Sequence, residues 1–299
     1  MSRTTTLALI GSLLVIAAFT SVGLPIPLVS APGSLRVDGT AQRIGSGTVR
    51  TYVLYDPANR SVPIEVGIAL SARAIEGLPA PMPTHGATDA MSSHFDTHER
   101  LLALPAGNPT PYKFIQFNWN PGGHEPPGVY DQPHFDFHFW NASEEVRNSV
   151  VPDNPEFAVK AAKLPAEQFR SQYYIDAATA ARAPAAAVTV PKMGLHWLDV
   201  RSPELQGLTG HPELAQKFTK TFIYGSWDGE FVFDEPMITR EYVAAKRTAT
   251  DPAVRDEIIE MPTPARRQVP GYYPRAYRIS YDPETKEYRI ALTRLTWQQ

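Results

Sequence analysis

PHFDFHFW, residues 133–140, alternates polar and aromatic side chains from His134 to Phe139. A period of two is the period of a β-strand, in which residues i, i+2 and i+4 share a face. His134, Asp136 and His138 therefore lie on one face, and Phe135, Phe137 and Phe139 on the other. The phenylalanine face must pack into a core. The opposite face must meet water, a second polar layer or a site. A core needs more than one strand, so the fold is decided by whether the chain holds other segments of this kind.

It holds many. VRTYVLY (49–55) and IEVGIAL (64–70) are strand-like and separated by the turn-rich DPANRSVP. YKFIQFNW (112–119) is as aromatic as the opening segment, and GLHWLDV (194–200) is shorter. FTKTFIYGSWDGEFVF (218–233) reads as a hairpin whose Asp228-Gly229 pair suits a tight turn with positive φ. AYRISYD (276–282) and YRIALTRL (288–295) form another hairpin around PETK. Helix signals are fewer. Asn141 or Ser143 caps a short helix through EEVRNSV, and residues 155–163, 165–183 and 240–247 carry helix formers. Pro184 makes APAAAVTV (183–190) read as a loop leading into a strand. Hairpin-linked strands with interrupting helices predict a mainly β fold, an antiparallel β-sandwich or barrel with helical insertions. The strands do not alternate regularly with helices, which argues against a parallel α/β sheet.

Composition narrows the function classes. The chain has 299 residues, 43% hydrophobic and 20% charged, a globular balance. Lys plus Arg is 28 against 31 for Asp plus Glu, so no basic excess points to nucleic acid. With no cysteine, disulfides, thiolate metal sites and a cysteine nucleophile are all excluded. A transition metal would have to be held by His, Asp or Glu. Arg3 precedes an apolar run from Leu7 to Val29, with small residues at Ser30 and Ala31. That pattern predicts a signal peptide over 1–31 and a single β-rich domain over 32–299, secreted, periplasmic or in the cell envelope. The run is also about long enough to be a retained anchor, although Pro25 and Pro27 break it. Only in that case would the chain engage a membrane.

Strand geometry limits which polar residues of 134–138 can share an ion. A strand rises ~3.3 Å per residue, so i and i+4 lie about 13 Å apart. A ligand nitrogen sits ~2.0–2.1 Å from zinc, so His134 and His138 cannot both hold one ion on a regular strand. Either His134 with Asp136 or Asp136 with His138 is the workable pair. Other ligands must come from elsewhere. NWNPGGHEPPGVYDQP (118–133) presents His124 and Glu125 in a rigid loop, and KMGLHWLDVRSPEL (192–205) presents His196 with Asp199 nearby. FDEPMIT (233–239) presents Asp234 and Glu235. Glu235, among apolar neighbours, needs a partner if buried. The resulting set is His124, His134, Asp136, His138, His196 and Glu235, a mixed imidazole and carboxylate set that suits zinc, iron or manganese. His85, His94 and His98 fall in PAPMPTHGATDAMSSHFDTHER (79–100), which reads as a solvated loop, and His211 as an ordinary surface histidine.

GHEPPGVYDQPHFDFHFW, MGLHWLD and YGSWDGEFVFDEPMIT, with the closing YYPRAYRISYDPETKEYRIALTRL, resemble a family of exported bacterial proteins classed as a domain of unknown function. The resemblance covers roughly residues 35 to 297 and implies a largely β fold, export and assembly into homo-oligomers. It implies no reaction. The His-x-Asp-x-His strand followed by a distant His and Glu also resembles the metal pattern of cupins, and HFDFHFW the His-x-His strand of α-type carbonic anhydrases. In both comparisons Asp136 stands where the usual spacing has a histidine. No phosphate loop and no G-x-S-x-G elbow occurs. Three readings of function follow. The first is an exported metalloprotein, with hydrolase, lyase or oxygen-using chemistry as its candidate activities, in which His134, His138 and His196 bind the ion and Asp136 or Glu235 serves as ligand or general base. The second is a non-catalytic envelope protein binding a small-molecule ligand or a structural ion. The third is a stress-related structural protein with no site and no metal, whose histidine face lies at a subunit interface; it predicts that the histidines do not converge.

Overall fold

The structure, a computed structural model, describes residues 35–81, 97–208 and 210–299. The expected signal peptide or anchor, and His85 and His94, lie outside the described residues. In chain order the first strands are β1 (Leu35–Asp38), β2 (Gln42–Ile44), β3 (Gly47–Tyr55), β4 (Pro63–Ser71), β5 (His98–Ala103), β6 (Phe114–Asn120), β7 (His134–Trp140) and β8 (Tyr174–Asp176). They are followed by β9 (Leu195–Asp199), β10 (Lys220–Trp227), β11 (Glu230–Thr239), β12 (Asp256–Glu260), β13 (Gly271–Tyr273), β14 (Ala276–Asp282), β15 (Glu287–Thr293) and β16 (Thr296–Gln298).

One antiparallel sheet runs β1-β3-β4-β15-β14-β12, with β2 beside β3. The second runs β5-β6-β7-β11-β10-β9-β8, and β13 pairs with β16. The two large sheets make a sandwich, not a closed barrel. The core between them is one cluster. Val53, Val66, Ile68, Ile279 and Ile290 come from the first sheet, and Phe117, Phe135, Phe137, Phe139 and Trp197 from the second. Phe117 lies 5.6 Å from Phe135 and 5.5 Å from Phe137, centroid to centroid. Burying one such ring contributes about 1.5–3 kcal/mol, so three on a single strand fix its register.

The other face of the second sheet is largely covered. Four short helices, α1 (Glu144–Ser149), α2 (Phe157–Ala162), α3 (Ala177–Ala181) and α4 (Ala185–Val188), follow β7 in sequence. Phe157 and Ala161 of α2 are buried with Trp140, Trp227 and Phe233 in a second apolar cluster, against which Val146 of α1 and Ala185 of α4 pack. A third cluster gathers Val129, Tyr130, Leu205, Phe218, Ile223 and Met237. The His134-Asp136-His138 face is therefore enclosed, with His134 and His138 at 0% exposure.

The β10–β11 hairpin turns through Asp228 (φ 51°) and Gly229 (φ 83°), the left-handed pair its sequence predicts. Ser143 caps α1, its side chain accepting from the Val146 N–H. Residues 240–247 are helical as expected, in α5 (Arg240–Thr248). Three expectations are corrected. Residues 165–183 are not one helix. Tyr173 sits at φ 71°, β8 pairs with β9, and Asp176 then caps α3 by accepting from the Thr179 N–H at 2.9 Å. Tertiary pairing overrides local helix propensity there. Residues 185–188 are helical, with Pro184 just before the first turn, where its missing N–H costs nothing. His98 is not in a solvated loop; it opens β5 opposite Trp119, its Nε2 3.0 Å from the Ala80 carbonyl.

Candidate metal centre

Two elements bring the first group together. β7 supplies His134 and Asp136. The loop before it supplies His124 by folding back on itself: the His124 N–H donates to the Tyr130 carbonyl at 3.2 Å. Gly123 makes the approach at φ 73°, where a Cβ would stand 2.2 Å from that same carbonyl oxygen. The His134 Nε2 then lies 3.2 Å from Asp136 Oδ1, and the His124 Nε2 3.6 Å from Asp136 Oδ2. The two imidazoles meet edge-on at 4.6 Å. Both are oriented from behind. His134 Nδ1 is 2.6 Å from the Gln132 carbonyl and His124 Nδ1 2.8 Å from the Glu125 carbonyl. A carbonyl only accepts, so each Nδ1 carries a proton, and Nε2 is the ring atom each imidazole turns toward Asp136. Asn120, opposite His134 on β6, donates to Asp136 Oδ2 at 2.6 Å.

The second group is built by strand order. β11 lies against β7 with Phe233 opposite Trp140 and Met237 opposite Asp136. Glu235 lies between those two pairs and faces the same way. Its Oε1 is 3.4 Å from His138 Nε2. Across β10, His196 of β9 is opposite Gly225, and its Nε2 is 3.6 Å from Glu235 Oε2. Phe233 wedges both rings, 4.8 Å from His138 and 5.5 Å from His196. Gly225 leaves the room for that wedge, since a Cβ there would fall 2.0 Å from the Phe233 ring.

Within each group the three ligand atoms lie within 4.8 Å of one another, close enough to hold a metal ion. Ligands held ~2.0 Å from a tetrahedral ion stand about 3.3 Å apart, close to the observed spacings. Several of these atoms are buried without a hydrogen bond among the described residues: His134 Nε2, Asp136 Oδ1, His138 Nε2 and Glu235 Oε2. His138 Nδ1 faces the Gln116 backbone without reaching hydrogen-bonding geometry.

Electrostatics separates the two carboxylates. Burial pushes the Asp136 carboxyl up, but His134 and His124 beside it outweigh that and hold it well below the usual range. Burial, with the Asp136 charge, pushes Glu235 well above it. Burial lowers His138 to about 3 and, with repulsion from His124, His196 to about 4. Burial lowers His124 too, but its hydrogen bond and attraction to Asp136 win and raise it.

Both groups open on one cavity of about 680 Å³. His124, Asp136, His196 and Glu235 form its polar floor, and its walls are largely apolar. The sequence's six ligand candidates are thus all brought to one place, but in two groups. Asp136 pairs with His134 and not with His138, which takes Glu235 instead. His138 and His196 close on Glu235, so the reading in which the histidines do not converge does not hold. Asp199 is not in the site; it holds the Arg201 guanidinium at 2.7 Å. Asp234 points to the opposite face, where the Tyr112 hydroxyl donates to it. Exposed His211 pairs with Glu213 at 3.5 Å. Sequence reasoning missed Asn120, Tyr130 and Phe233. The polar-aromatic alternation of FIQFNWN, the same signal as in β7, marks Asn120. No known protein family, curated protein or solved structure matches the chain.

Proposed function

We propose that the chain is an exported metal-binding protein whose two His/carboxylate groups each hold a divalent transition-metal ion beneath a ligand cavity. One observation carries this reading. Imidazole nitrogens and carboxylate oxygens are buried face to face at 3.2–3.6 Å, and four of these atoms make no hydrogen bond among the described residues. Buried polar atoms are normally paired, and leaving them unpaired costs about 1–3 kcal/mol each. A shared cation satisfies them together. Two imidazoles and one carboxylate suit zinc, iron or manganese and leave coordination positions open.

The chain's own residues have distinct tasks. The Gln132 and Glu125 carbonyls fix the tautomers of His134 and His124, and Asn120 aims Asp136. Glu235, whose carboxyl burial raises, would give up its proton to bind an ion in its group. A bound ion with an open position would polarise an oxygen of the ligand or activate water. Export rests on the apolar N-terminus and on the resemblance to exported β-rich proteins. The test is elemental analysis of the untagged chain beside a His134→Ala/His138→Ala double variant. Metal in the wild type that is lost from a folded double variant supports the reading. No metal after reconstitution with zinc, iron or manganese removes it and leaves a metal-free ligand-binding protein.

A further inference from the structure

The cavity above the two groups is chemically divided. Its floor is polar, made by Asp136, Glu235, His124 and His196. Its walls are not: Ile175, Val188, Met193, Leu198, Leu205 and Ile223 line them. A volume of about 680 Å³ exceeds what metal-bound waters need and falls in the range of small-molecule sites, ~300–1,000 Å³. At the rim, Leu208 is 64% exposed, an apolar side chain left in solvent at the entrance. Arg182, also exposed, is the one lysine or arginine lining the cavity among the described residues.

We infer that this cavity takes an amphiphile with an extended apolar tail and a single oxygen-anion head, a straight-chain carboxylate being the simplest member, with the head on the metal floor. The inference rests on the metal reading above. Without metal the floor offers an anion two carboxyl groups, those of Asp136 and Glu235, and no open cation. Two dications reverse that balance and leave positive charge and open coordination positions beneath an apolar shaft. The Tyr130 hydroxyl adds a neutral donor. It is buried on the cavity wall, makes no hydrogen bond of normal geometry among the described residues, and has the Glu204 carboxyl beside it. A wholly polar ligand would leave the walls unpaired, and a wholly apolar one would bury the floor without partners.

The experiment is calorimetric titration of the full chain with hexanoate, octanoate, decanoate and dodecanoate. It is run on zinc-loaded protein, on chelator-stripped protein, and on zinc-loaded Val188→Glu and Arg182→Ala variants, with metal content measured on each. Affinity should rise about three- to fourfold for each methylene buried until the shaft is filled. Stripping the metal should weaken binding at least tenfold. Val188→Glu should keep its metal and lose at least tenfold in dodecanoate affinity, whereas Arg182→Ala should change little. Metal bound without any dependence on chain length would overturn the inference and leave the metal reading standing. Binding indifferent to metal but lost in Arg182→Ala would place the head at the mouth and also overturn it. Protein that takes up none of zinc, iron or manganese would overturn both.

Discussion

His138 Nε2 stands 3.4 Å from Glu235 Oε1, with both side chains enclosed and the imidazole making no hydrogen bond among the described residues. The pair joins β7 to β11, whose register places Glu235 between the Phe233–Trp140 and Met237–Asp136 pairs. A carboxylate two residues along β11 in either direction would miss the histidine. The contact is long for a charge-assisted hydrogen bond, typically ~2.7–2.9 Å, and suits two ligands around one ion.

The two groups should therefore lose metal separately. Asp136→Asn should empty the group formed with His124 and His134, and Glu235→Gln the group formed with His138 and His196. Each substitution keeps shape and removes a charged ligand. Metal analysis should fall from two ions per chain to one in each variant and to none in the double variant. Simultaneous loss of both ions in either single variant would show one shared site.

Asn120→Ala should weaken the first group without removing a ligand. It takes away the donor 2.6 Å from Asp136 Oδ2. Loss of such a supporting hydrogen bond typically costs ~10–100-fold in metal affinity. Competition with a chromophoric chelator measures this, and the second group should titrate as in the wild type.

Acid should destabilise the metal-free protein through two histidines. His138 and His196 are lowered by burial to about 3 and 4, while in an unfolded chain each protonates near pH ~6.5. A depressed folded value means that their stability is present above ~6.5 and is lost as pH falls toward the folded values. Glu235 acts the other way. Its raised carboxyl stays protonated in the folded chain, so its contribution weakens as pH rises above the ordinary carboxyl range. His124, Glu204 and Asp234 are raised as well and act in the same sense as Glu235, so the histidine contribution is read as a difference between wild type and variant in the slope of denaturant midpoint against pH, measured in chelator from pH ~6.5 to ~4.5. His138→Gln should lower that slope.

Gly225→Ala should disturb the second group from outside it. The added Cβ meets the Phe233 ring, which must leave its place against His138 and His196. Overpacking of this kind costs about 1–3 kcal/mol. Thermal unfolding should shift down, and metal analysis should show the His138 group weakened more than the His134 group.

Much of this was legible in HFDFHFW. Its alternation gave both faces of β7, and the strand rise separated His134 from His138 before any fold was known. Which carboxylate each would take was not legible. It depends on β11 lying beside β7 and β9 beside β10, and hairpin signals do not state the order of strands in a sheet. The enclosure of the histidine face was also hidden, because it is made by short helices whose sequences look ambiguous alone. Residues 165–183 read as helix from their formers, yet Tyr174 is drawn into β8 and its hydroxyl donates to the Phe222 carbonyl at 2.9 Å. The Gln132 and Glu125 carbonyls that set the tautomers are backbone atoms, and no side-chain pattern records them.

The most direct measurement is anomalous diffraction from crystals of the zinc-reconstituted full chain. The account predicts two peaks, one among His124, His134 and Asp136 and one among His138, His196 and Glu235. Well-ordered side chains in both groups with no peak at either would contradict it.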